Sequence, residues 1–313
     1  MLAFIIRRLL ATVPVICFVA LFVFSLLYIA PGDPAAIIAG DQASPADIER
    51  IRASLGLDRP YVVRFAEWSF KVAQGDLGTS IFTSKPVTEL IGQRLEPTLS
   101  LMLLTLVLSV VIAIPMGVVA AWKVSSWVDR AVMAFAVFGF SIPVFVVGYL
   151  LAWVFALKLD WLPVQGYTPL AQGFVPWLKN LILPSITLAL VYIALIARIT
   201  RATMLEILDQ DYVRTARAKG VSQREVLFLH SLKNAAVPVI TIVGIGVALL
   251  IGGAVVTESV FAIPGLGRLT VDAILQRDYP VIQGVVLVCS LVYVLVNLLI
   301  DLSYTIVDPR IRY

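Results

Sequence analysis

The sequence predicts an all-α membrane protein with six transmembrane helices and a polar outer subdomain between the first two. Three observations carry that prediction. Mean hydropathy is +0.96, with 60% of residues hydrophobic and 14% charged, far outside the range of a soluble domain. The apolar residues are segregated into long runs, and each run supplies the roughly 20 residues needed to cross a bilayer about 30 Å thick. Lysine and arginine are shared unequally between the segments that join the runs. Two cysteines, Cys17 and Cys289, both lie inside apolar runs and are too few for a disulfide scaffold or metal cluster. The single histidine, His230, excludes sites built on paired imidazoles, and no cofactor or metal is expected.

The first run, residues 9–30, follows Arg7 and Arg8. A basic start before an apolar middle also describes a secretory signal peptide. The run is too long for one, and Pro31 after Ala30 disfavours cleavage, so a retained span entering from the cytoplasm is expected. The interval 31–97 is polar but patterned. Ser44 and Pro45 suit the N-cap and first position of a helix, Ile48, Ile51 and Leu55 recur at helical spacing, and Gly56 suits a stop. A second amphipathic helix over 62–72 ends at the turn-forming Gln74-Gly75-Asp76, and Phe65, Trp68 and Phe70 are core-type aromatics. A folded subdomain is therefore expected.

Five further runs cover 98–121, 131–157, 181–204, 236–260 and 281–306. The chain thus divides into a first span (1–30), an outer subdomain (31–97) and a five-span core (98–313) with a cytoplasmic loop over 205–235. With the N-terminus inside, the inner segments hold Arg7, Arg8, Lys123, Arg130, Arg198, Arg201, Arg214, Arg217, Lys219, Arg224, Lys233, Arg310 and Arg312. The short outer loops hold only Lys158, Lys179, Arg268 and Arg277. That asymmetry predicts cytoplasmic N- and C-termini.

The most patterned polar segment is the cytoplasmic one. Residues 205–219 are expected to form a helix that leaves the membrane, with Gly220 as its stop. Ser222 and Glu225 then form a capping-box pattern that opens a second helix at Val226. Small Ala216 and Ala218 beside Arg214, Arg217 and Lys219, with Thr215 between, suit insertion into a groove on a cytoplasmic partner. A basic loop that only sets topology and touches lipid headgroups has the same composition. Both readings stand on physics alone.

Other residues invite weaker expectations. No G-x-x-x-x-G-K-[ST] occurs, so ATP phosphates cannot be held in a P-loop of this chain. Gly244, Gly246, Gly252, Gly253 and Ala254 read first as helix-packing residues and second as pore-lining ones. Glu258 and Asp301 lie near span ends; Asp301 suits structural pairing, and Glu258 is a candidate to line an outer vestibule and meet a substrate amine. Pro115, Pro143 and Pro184 fall in or beside spans, and Phe140-Ser141-Ile142-Pro143 reads as a kink, or else a flexible point, on a translocation path. The candidate path residues are thus Ser141, Pro143, Gly252, Gly253 and Glu258. No catalytic residue is expected, since His230 has no nucleophile beside it and no carboxylate dyad lies at depth. An ion-gradient-driven secondary transporter or channel is the rival class, but the inverted repeats and midplane charges that would favour it are not evident.

The stretch Asp211-Tyr212-Val213-Arg214-Thr215-Ala216-Arg217-Ala218-Lys219-Gly220, with His230 and Leu232-Lys233-Asn234-Ala235, resembles the EAA loop of binding-protein-dependent ABC importer permeases. Arg214 stands where the general motif has glutamate and Lys233 where it has proline, and both departures resemble the peptide branch. So do Pro31-Gly32-Asp33-Pro34, Leu55-Gly56-Leu57-Asp58-Arg59-Pro60, Gly75-Asp76-Leu77-Gly78-Thr79-Ser80, Pro86-Val87, Thr98-Leu99, Pro264-Gly265-Leu266-Gly267-Arg268, Arg277-Asp278-Tyr279-Pro280 and Asp308-Pro309-Arg310. The resemblance implies the type I ABC importer permease architecture, in a subunit of the bacterial cytoplasmic (inner) membrane that moves di- or oligopeptides; relatives in the branch also handle glutathione or nickel chelates. It implies a homologous second permease in a heterodimer, two cytoplasmic ATP-binding subunits, an extracytoplasmic substrate-binding protein and surrounding membrane lipid as partners, and no nucleic acid. Residues 214–220 would be the element coupled to the ATPases.

Overall fold

The computed structural model describes residues 2–29, 33–39, 43–54 and 56–307. The expectations placed on Pro31, Gly32, Leu55, Asp308, Pro309, Arg310 and Arg312 lie outside the described residues. Regular structure among the described residues is helical, apart from one isolated bridge between Thr79 and Pro86. In order the helices are α1 (Leu2–Ile29), α2 (Pro34–Ala39), α3 (Pro45–Ser54), α4 (Tyr61–Ala73), α5 (Val87–Trp122), α6 (Trp127–Ser141) and α7 (Val144–Leu151), which runs on as a π-helical segment, Ala152–Lys158. Then come α8 (Phe174–Leu208), α9 (Asp211–Ala218), the single turn α10 (Gln223–Glu225), a π-helical segment Val226–Leu232, α11 (Lys233–Val260), α12 (Leu266–Gln276) and α13 (Tyr279–Val307). Five helical runs among the described residues are long and apolar enough to span a membrane, and six if the bent pair α6–α7 counts as one span.

That bent pair turns the kink expected at Phe140-Ser141-Ile142-Pro143, in the run 131–157, into a sharp break. Its halves meet at 102° across Ile142-Pro143. The ring of Pro143 disfavours the helical conformation in the residue before it, and Ile142 is accordingly extended, with φ −95° and ψ 125°. Pro115, Pro184 and Pro238, by contrast, are carried inside continuous helices. A second difference concerns 205–219, expected as one helix. α8 ends at Leu208, Gln210 is extended, and α9 starts afresh at Asp211. A third concerns 258–280, the outer segment holding Arg268 and Arg277, which is expected as a loop. It contains α12, whose buried Leu266, Leu269 and Ala273 recur at helical spacing.

The chain separates into two compact units. In the first, Met1–Leu95 with Leu269–Val294, α4 packs on α1 through aromatic rings. Phe24 lies 5.3 Å from Tyr61, 5.4 Å from Phe65 and 5.3 Å from Trp68, centroid to centroid. Phe70 does not join them and is 65% exposed, because five residues on from Phe65 a helix has turned about 140° to another face. Gly56 has φ +62° and receives the chain at the end of α3, as expected of a helix stop. The same unit brings two separate motifs together. Asp278, buried, accepts from Ser80 Oγ at 2.5 Å and from the Ile81 amide at 3.3 Å.

In the second unit, Glu96–Arg268 with Leu295–Tyr313, α8 is central and packs against α6, α7 and α11. Its buried face includes Leu181, Leu188, Tyr192 and Ile196, set against Leu250, Ala254 and Phe261. Most of the small residues of α11 serve this packing. A side chain at Gly244 would collide with Ile300 and one at Gly253 with Leu188, while Gly252 faces open space.

Candidate functional site

The loop between α8 and α11 is built from its caps outward. α9 is short, so its place is set by two apolar contacts on one face rather than by length. Val213 and Ala216, three residues apart, are buried, and α9 rests on the π-helical segment and on the end of α8. Beneath lies a small apolar cluster in which Leu227, Ala235 and Val239 meet Met204, Val118 and Ala121. Thr215 donates to the Asp211 carbonyl at 2.9 Å, an internal helix bond. The opposite face is polar and open, with Arg217, Ala218 and Lys219 exposed.

Arg214 is exposed but engaged. Its guanidinium donates to Asp209 at 2.7 Å and reaches Asp211 at 3.5 Å. The hydrogen bond to Asp209, and then the charges of Asp209 and Asp211, hold the Arg214 guanidinium above its ordinary range. Gly220 adopts φ +79°, in the left-handed region, and its amide and that of Val221 close the helix on Arg217 and Ala216. The capping box then forms as expected. The Glu225 amide donates to Ser222 Oγ at 3.4 Å, and Ser222 N donates to Glu225 Oε2 at 3.1 Å.

The second helix of this loop is not short, since the helical path continues from Gln223 to Val260. The bend at Gly220 is therefore joined directly to a membrane-spanning helix. Within it, Val226, Leu227 and Ser231 face inward while Phe228 and Leu229 are 55% and 58% exposed. His230 lies in this π-helical stretch, and its carbonyl accepts from Asn234. Burial pushes the neighbouring Tyr212 phenol above its ordinary range. The arrangement is a basic, aromatic-edged knob fixed to the bundle on one side only.

The candidate path residues fall in different settings. Ser141 and Pro143 sit at the α6–α7 bend and are exposed, with Ser141 Oγ donating to the Val137 carbonyl at 2.8 Å. Gly252 is exposed, whereas Gly253 packs on α8. Glu258 corrects the expectation that it lines a vestibule. It is 0% exposed, its Oε1 accepts from Thr98 Oγ1 at 2.6 Å and its Oε2 from the Arg268 amide at 3.0 Å. Thr98 Oγ1 in turn accepts from the Leu266 amide at 2.8 Å. Gly265 and Gly267 admit the carboxylate, since a side chain at either would collide with it. A carboxylate so enclosed ties α5, α11 and α12 together and presents no oxygen to a passing amine.

Sequence reasoning also missed a buried ion pair. Arg201 on α8 donates from Nε to Asp129 Oδ1 at 2.5 Å and from Nη2 to Oδ2 at 2.7 Å. Asp129 is buried in the first turn of α6 and also accepts from the Ser125 amide at 2.9 Å. The available signal was opposite charges at the ends of consecutive apolar runs, 72 residues apart, which composition counts only as loop charge.

Two family models match the chain. Residues 113–313 match the binding-protein-dependent transport system inner membrane component, and residues 1–102 match the N-terminal part of such membrane components. The chain belongs to that family. Among its relatives, a probable peptide ABC transporter permease of Sinorhizobium fredii is 54% identical over 99% of both chains. A dipeptide transport system permease of Alkalihalophilus pseudofirmus is 41% identical, and a glutathione transport system permease of Escherichia coli is 43% identical, each over the whole of both chains. A solved inward-facing structure of the MetNI methionine ABC transporter superposes with a TM-score of 0.60 at 18% identity, covering 72% of this chain and 100% of that one. The architecture is accordingly that of a type I ABC importer permease, and the chain is a multi-pass membrane protein of a family of transport permeases rather than enzymes. In this family member the caps around Gly220 are built by neighbours in sequence, whereas the buried Glu258 is enclosed by Thr98, 160 residues away.

Proposed function

We propose that the chain is one permease subunit of an ATP-driven importer that carries di- or oligopeptides across the cytoplasmic membrane. Peptide cargo is supported by the names of full-length relatives, of which one is a peptide, one a dipeptide and one a glutathione permease. The observation that carries the coupling mechanism is α9 with its Gly220 bend. The helix displays Arg217 and Lys219 outward while Val213 and Ala216 hold it to the bundle, and the capped helix after it runs unbroken into a membrane span. A pull on the knob by an ATPase closing on ATP is then delivered to α11 through the Gly220 bend and to α8 through the contacts of α9 with its end. The lysine and arginine distribution supports a cytoplasmic placement for this knob and for both termini, with 31–97 extracytoplasmic. A homologous second permease, two ATP-binding subunits and an extracytoplasmic binding protein complete the assembly. The exposed Ser141, Pro143 and Gly252 are the residues assigned to the translocation path.

The test is reconstitution of the assembly in proteoliposomes. Uptake of labelled peptide is expected to require ATP and binding protein. Arg217→Glu should leave membrane insertion intact while uptake per ATP hydrolysed falls. Normal uptake by that variant would remove α9 from the coupling path, and uptake without ATP would support an ion-gradient transporter instead.

A further inference from the structure

The geometry points to a binding site for an anionic phospholipid in the groove between α6 and α8, with Arg198 as its headgroup ligand. The groove has a volume of about 410 Å³ and is lined by Met133, Ala136, Val137, Phe140, Ser141 and Arg198. Its lining is mostly apolar and aromatic, with the Arg198 guanidinium and the Ser141 hydroxyl as the polar side chains. A single cation beside an apolar wall is the complement of an anionic amphiphile, not of a small free anion.

Depth supports the same reading. Lys179 and Arg198 bracket an uncharged stretch of α8 that at about 1.5 Å per residue is roughly 28 Å long, close to the hydrocarbon thickness of a bilayer. Arg198 thus stands at the edge of the hydrocarbon, level with lipid phosphates. Its charge also lacks an internal counterpart. Arg201, one turn on, is held by Asp129, but no ion pair among the described residues engages Arg198, which is exposed. At this depth an unpaired arginine draws an anion from its surroundings. Val137 and Phe140, both largely exposed, extend from that point along the path an acyl chain would take. The site requires only that the chain spans a membrane; it shares Ser141 with the translocation path proposed above, so lipid held here borders that path.

The test uses the full chain in lipid nanodiscs of phosphatidylcholine, with and without phosphatidylglycerol, followed by native mass spectrometry of retained lipid. The wild type is expected to retain phosphatidylglycerol in preference to phosphatidylcholine. Arg198→Gln should lower that preference by about fivefold, the effect of one basic residue on attraction to anionic lipid, and Arg198→Lys should recover part of it. Val137→Trp, which fills the groove without touching the charge, should abolish retention while leaving the thermal midpoint in phosphatidylcholine unchanged. Equal retention by the wild type and Arg198→Gln would overturn the site. So would undiminished retention by Val137→Trp, or displacement of the lipid by inorganic phosphate, which would mark a free-anion site. Cross-linking of Val137→Cys to a second permease subunit in the assembled complex would identify the groove as a subunit contact and likewise overturn it.

Discussion

At the scale of single residues, the buried polar groups decide more than the basic ones that dominate the sequence. Glu258 is satisfied by donors from Thr98 and the Arg268 amide, and Thr98 also receives the Leu266 amide. Thr98→Val removes that hydroxyl and leaves a buried carboxylate oxygen and an amide without it. The expected loss is about 1–3 kcal/mol, read as a lowered unfolding midpoint in detergent. Asp129→Ala strands the Arg201 guanidinium, which is 22% exposed and so partly solvated; the expected loss is about 1–3 kcal/mol, read in the same assay. Neither partnership was legible in the sequence, because a carboxylate at a span end looks the same whether it faces a channel or an enclosed hydroxyl. The cap residues were legible. Ser222 and Glu225 act on neighbours three positions away, so local spacing contains the whole interaction.

At the scale of elements, two breaks define the moving parts. Gly220 has no atom within 4 Å of the position a side chain would occupy, so its requirement is conformational only. Gly220→Ala should cost about 1–2 kcal/mol through its left-handed backbone, and faster amide exchange in α9 would register that cost. Gly220→Pro cannot adopt a positive φ at all and should lose uptake as well. The other break is Ile142-Pro143. Pro143→Ala lets Ile142 return to helical geometry, so spin labels at Arg130 and Leu157 should move apart relative to the wild type. An unchanged distance would assign the 102° bend to packing rather than to proline. The sequence marked Pro143 as a kink but gave no angle, since proline sets the conformation of its predecessor while the neighbours α8 and α11 set where the chain goes next.

At the scale of the whole molecule, the testable quantity is sidedness. In a background with Cys17 and Cys289 replaced, Lys219→Cys should react with impermeant thiol reagents from the cytoplasmic face only, and Lys71→Cys from the opposite face only. Labelling of both from one side would contradict the topology predicted by the arginine and lysine distribution.

Composition and local spacing by themselves determined the helical membrane class, the number of apolar runs and the caps of the α9 loop. Those properties depend on solvent transfer and on interactions within a turn or two, which a linear sequence contains. Only the tertiary structure decided how sharply the third run bends, that Ser80 and Asp278 close one joint, that Arg201 neutralises Asp129 and that Glu258 is a strut rather than a vestibule wall. Each of these is a meeting of groups separated by a span or more, and the energy of a charged group is set by which neighbour it meets.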